Sequence, residues 1–69
     1  MTLGEKMKCV RTARGLTQKQ VGEKLGVTSQ WVCTIEHDEA FPKSMYISAF
    51  CYELGISKNK LLEGVKPCG

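Results

Sequence analysis

The sequence predicts an all-α fold of five short helices in a single domain. Apolar residues recur at spacings of three and four along most of the 69-residue chain. No segment alternates polar and apolar long enough to read as a strand. Gly15, Gly26, Gly55 and Pro42, together with Thr17, Thr28 and Ser57, divide the chain into pieces of helical length.

The first helix is read from Leu3, Met7 and Val10, with Glu5, Lys6, Lys8 and Arg11 between them and Gly15 as the stop. Thr17 then caps a second helix. Gln20 completes a capping-box pattern ahead of Val21 and Leu25, and Gly26 ends the helix. Thr28 or Ser29 caps a third, whose inward positions are Val32 and Ile35, and the run from Asp38 to Pro42 breaks it. A fourth helix from about Ser44 places Ile47, Phe50, Cys51 and Leu54 on one face and stops at Gly55. Ser57 caps a last turn or two ending at Leu61 and Leu62. The expected domain covers residues 1–66, leaving 67–69 as a flexible tail.

Composition narrows the function classes. An apolar content of 42% is that of a globular chain. No stretch approaches the roughly 20 apolar residues of a membrane span, and the start lacks the pattern of an export signal. The expected location is therefore the cytoplasm, with Cys9, Cys33, Cys51 and Cys68 as reduced thiols. No pair of cysteines or histidines has zinc-ligand spacing, so no metal or other cofactor is expected. One histidine, no carboxylate pair at useful spacing and no glycine-rich phosphate loop argue against an enzyme. Nothing points to a small-molecule ligand. The net charge is +3, and up to Lys24 six Lys or Arg stand against two Glu. A basic N-terminal half suits a polyanion, although a solvated helix face reads the same way.

The informative stretch runs from Thr17 to Glu36. Two helices crossing steeply over a turn of three or four residues approach closely, which excludes large side chains at the crossing and favours glycine in the turn. Gly22 and Gly26 meet those two demands. Val32 and Ile35 then anchor the third helix, leaving Ser29, Gln30, Cys33, Thr34 and His37 on the outward stripe.

In these features the chain resembles the Cro and cI-type repressors of the XRE family, and the resemblance covers almost its whole length. Its carriers are L-T-Q-K-Q-V-G-E-K-L-G-V, S-Q-W-V-C-T-I-E, Pro42 and Y-E-L-G-I-S-K-N-K-L-L. The resemblance implies a five-helix, lambda-repressor-like DNA-binding domain that acts on double-stranded DNA as a small transcriptional regulator, with residues 28–36 entering the major groove. It implies that Gln18 bonds a phosphate and that Thr28, Ser29, Gln30 and Thr34 face base edges or the flanking backbone. Gln30 is the foremost candidate, because its amide can offer a donor and an acceptor to adenine. Lys43, closing the loop after the third helix, joins the expected DNA contacts. Arg11 and Glu36 match a partly buried ion pair of related repressors, a role in orientation, with Arg11 also able to reach a phosphate. Trp31 lies beside the inward stripe, and packing under the second helix and contact with the DNA backbone are both open to it. Cys33 stands where many relatives carry serine, so it is either a small tolerated residue or a redox-sensitive one.

Such a regulator is expected to work as a homodimer on a two-fold site. Ile56, Leu61, Leu62 and Val65 would either form its interface or close the core. The loop departs from the family, which usually has a basic, glycine-containing segment there. Asp38 and Glu39 sit where phosphates should be close, and the expected consequence is weaker non-specific binding with a shallow salt slope. Asp38 tolerates the left-handed backbone that a glycine would take. The alternative function is a protein-interaction module of the same fold, an antitoxin or a bridging co-regulator.

Overall fold

The structure, a computed structural model, describes residues 1–65. The expected boundary at 66, the tail beyond it and Cys68 lie outside the described residues. Five helices follow in the predicted order: α1 (Leu3–Ala13), α2 (Gln18–Leu25), α3 (Ser29–Glu36), α4 (Ser44–Leu54) and α5 (Lys58–Leu62). Among the described residues there is no strand, and no helix is long and apolar enough to cross a membrane.

Each early helix begins where side-chain chemistry can satisfy its free N–H groups. Thr17 and Gln20 form the predicted capping box of α2. A second box, between Thr2 and Glu5, starts α1. Thr28, rather than Ser29, caps α3 by accepting from the Trp31 N–H at 3.1 Å. Ser57 caps α5. Helix α4 lacks a side-chain cap at its N-cap Lys43. It is held instead by its buried face and by Arg14, whose Nε donates to the Leu54 carbonyl at the helix's C-terminal end, where a cation suits the dipole.

The core is one cluster fed by all five helices. Leu3, Met7 and Val10 come from α1, Val21 from α2, Val32 and Ile35 from α3, Ile47, Phe50 and Leu54 from α4, and Leu61 from α5. Helix α1 packs against α3 and α5, while α2 packs against α3 and α4. Cys51 joins the core, as its place on the inner face predicts, and burial pushes its thiol pKa up. Leu61 is fully buried, so at this position the end of the chain closes the core. Ile56 and Val65 are half-buried against the same cluster, which leaves Leu62 exposed at 38%.

Candidate nucleic-acid interface

The turn between α2 and α3 is built on two glycines. Gly26 ends α2 with φ of +71°, a conformation that costs most side chains free energy. Gly22 lies against the turn itself: a Cβ there would come within 2.6 Å of the Val27 carbonyl oxygen and 3.2 Å of the Thr28 carbonyl carbon. The close approach expected of Gly22 is thus made to the backbone that leads into α3.

Helix α3 is fixed from its inner side. Val32 and Ile35 are each 2% exposed. Its last residue, Glu36, is buried and accepts from Arg11 Nε at 2.6 Å and Arg11 Nη2 at 3.1 Å, a two-pronged pair of the kind guanidinium geometry favours. Arg11 Nη1 donates in addition to the Leu16 carbonyl at 2.8 Å, in the α1–α2 connection. Arg11 is thus held between Glu36 and the Leu16 carbonyl, with only 9% of its surface exposed. Gln18, half-buried at the start of α2, donates through Nε2 to Glu36 Oε1 at 3.1 Å. Its amide is therefore tied to the end of α3, leaving one further N–H for another acceptor.

The outer side of α3 has a different character. Ser29 and Gln30 are exposed, and among the described residues their side chains make no hydrogen bond to the protein. Thr34, half-buried, donates to the Gln30 carbonyl at 2.9 Å. Thr28 is exposed, and its oxygen is engaged as a cap while its hydroxyl hydrogen stays available. Cys33 is half-buried, and its sulfur lies 3.4 Å from His37 Nδ1, which also sits 2.8 Å from the Cys33 carbonyl. The polar side chains expected to face outward thus form one strip along α3.

Trp31 is 38% exposed, as its angular position between the two faces implies. It borders an open apolar groove with Leu25, Phe41, Pro42, Met45 and Tyr46. Lys43, exposed, lies on the rim of the same groove. Sequence reading placed Trp31 and Lys43 but missed Phe41 and Met45, which remain 61% and 78% exposed.

Burial pushes the Tyr46 hydroxyl up to about 12 from the usual 10.0, and the negative charge of Glu36 adds to the shift. The folded state therefore holds the phenolic proton more tightly than the unfolded chain. The associated stability is fully present below pH 10 and is lost as pH rises towards about 12. Urea midpoints measured across that interval should fall faster for the wild type than for Tyr46→Phe. Parallel pH profiles would show that the hydroxyl is not held in this environment.

The loop after α3 places its two acids differently. Glu39 is exposed. Asp38 adopts the left-handed backbone expected of it, with φ of +59°. Its carboxylate, however, is engaged with α1.

Comparison with known proteins agrees with this arrangement. A family model described as a helix-turn-helix domain matches residues 2–62. The immunity repressor protein of Bacillus phage phi105 is 32% identical over 62 residues, which cover 90% of this chain and 43% of that protein. The chain thus spans less than half the length of this relative. The P22 c2 repressor protein, solved in complex with synthetic operator 9T, superposes with a TM-score of 0.83 at 25% identity, covering 93% of this chain and 97% of that one. The biofilm regulator SinR, solved with DNA, shares the fold with a TM-score of 0.81 at 24% identity, covering 88% and 98% of the two chains.

Proposed function

The chain belongs to the helix-turn-helix domain family, and from that premise we propose that it binds duplex DNA sequence-specifically as a small transcriptional regulator, acting as a repressor. The observation that carries this reading is the free polar strip on a helix whose other face is locked in place. Ser29 and Gln30 stand ready to meet base edges, while Val32, Ile35 and Glu36 hold α3 to the body. The phage immunity repressor and the operator-bound P22 c2 repressor, both similar to this chain, support the assignment. In this reading α3 enters the major groove, Gln30 reads a base, and Thr28, Ser29 and Thr34 contact bases or the adjoining backbone. Gln18 donates its remaining N–H to a phosphate. Trp31 and Lys43 meet the sugar-phosphate chain at the mouth of the apolar groove. Arg11 acts through Glu36.

One eight-residue helix spans only a few base pairs, so the chain works as a homodimer on a two-fold site, its half-sites about 34 Å apart. The reading is of a cytoplasmic binding protein without catalysis.

Selection of bound duplexes from a random pool tests the proposal. A symmetric enriched sequence is the expected result. Failure to enrich any sequence would overturn it and favour the protein-interaction alternative. On the enriched duplex, Gln30→Ala should lose about 1–3 kcal/mol of binding and relax preference at one position per half-site. Unchanged affinity and preference would remove Gln30 from the readout.

A further inference from the structure

Asp38 is the one non-glycine residue among those described with a positive φ, +59°. A side chain kept in that conformation needs a compensating contact, and Asp38 has two. Its Oδ1 accepts from the Gly4 N–H at 3.1 Å, and its Oδ2 accepts from the Thr2 hydroxyl at 2.6 Å. Both donors belong to the start of α1, where the helix dipole favours an anion. The same residue closes α3, since its own N–H donates to the Ile35 carbonyl at 3.1 Å. The two helix ends are in direct contact, because a Cβ on Gly4 would lie 2.8 Å from the Glu36 carbonyl oxygen and 2.7 Å from Asp38 Oδ1.

The end of α3 is therefore attached to α1 at two points. Glu36 is bound to Arg11, and Asp38 is bound to the first turn, about 10 Å away along α1 at 1.5 Å per residue. Val32 and Ile35 already hold the inner side of α3, and two separated attachments at its C-terminal end restrict its remaining rotation more than one would. That rotation decides where Ser29, Gln30 and Thr34 point.

We propose that Asp38 is a positioning residue for DNA recognition, a clasp between α3 and the N-terminal turn of α1, and not a charge set against the phosphates. The inference rests on the DNA-binding reading above. It gives Asp38 a role other than the one expected from the sequence, where the acids of this loop weaken non-specific binding and flatten the salt slope. Removing a repulsive charge would tighten binding, and the gain would shrink as salt screens it. Loosening a clasp weakens binding at every salt concentration.

The test compares wild type, Asp38→Asn and Asp38→Gly by fluorescence anisotropy at low and high salt, on the duplex that the wild-type chain enriches. Asp38→Gly should bind about tenfold more weakly at both, the loss of one oriented charge-assisted bond. Asp38→Asn should fall between, because its amide oxygen still accepts from Gly4 and asparagine tolerates the left-handed backbone. The urea midpoint of Asp38→Gly should stay near wild type, since glycine relieves the backbone while it gives up the contacts. A merely structural role would move the midpoint and leave the affinity of the folded protein unchanged. If glycine at this position unfolds the chain, Asp38→Asn alone decides. Variants that bind as tightly as wild type, or more tightly, sink the clasp. A wild-type chain that enriches no duplex sinks the DNA reading and, with it, this role.

Discussion

Replacing Glu36 by alanine is expected to remove about half of the stability of the domain. The variant strands the Arg11 guanidinium, whose side chain is 10% exposed, and removes the acceptor of Gln18 Nε2 as well. Breaking a buried ion pair from one side costs about 3–5 kcal/mol. A domain of this size has roughly 3–10 kcal/mol in total, at about 0.05–0.15 kcal/mol per residue. Circular dichroism in urea should show a midpoint far below that of the wild type. Arg11→Met combined with Glu36→Leu should recover part of the loss, because an apolar pair strands no buried charge. A Glu36→Ala midpoint equal to wild type would mean that water replaces the carboxylate at little cost.

Gly4→Ala should also destabilise, although helix propensity alone predicts a gain of about 1 kcal/mol for alanine over glycine. The added Cβ would overlap the Ile35 carbonyl oxygen and approach the Glu36 carbonyl oxygen to 2.8 Å. Two of the obstructing atoms are backbone at the end of α3, so relief requires moving α1 away from that helix. A net loss of about 1–3 kcal/mol is expected, as for other overpacked positions. For a domain this small that corresponds to a melting temperature lower by roughly 4–8 °C per kcal/mol. Calorimetry of the single variant decides, and an unchanged or raised transition would show that the junction yields easily. The same variant presses on Asp38, so its DNA affinity should fall further than its stability alone explains.

The helices were legible because their signals are local. Thr17, Gln20, Gly26 and Gly55 act on backbone groups within a few residues, and Ile47, Phe50, Cys51 and Leu54 announce an inner face by spacing alone. The outward strip on α3 followed from the same geometry once Val32 and Ile35 were set inward. Contacts across the fold were not legible in this way. Nothing local joins Arg11 to Glu36, 25 residues apart, and that pair was reached only through resemblance to related repressors. The tolerance of Asp38 for a left-handed backbone could be read from its residue type. The use of its carboxylate could not, because Gly4 and Thr2 lie 34 and 36 residues away and signal their part only once the helices are assembled. Leu61 failed to distinguish core from surface for the same reason: a short last helix carries too few residues for periodicity to say which side is covered.

The separation of the two faces of α3 bears on how such a protein changes over generations. The groups that secure the helix lie on its inner face or at its ends, while the side chains of Ser29 and Gln30 make no hydrogen bond to the protein among the described residues. Exposed positions without such partners usually accept substitution within about 0.5 kcal/mol. On the DNA-binding reading proposed above, a lineage can therefore exchange one target sequence for another through a series of folded intermediates, and the thermal stability of each step gives no hint of which targets it has gained or abandoned.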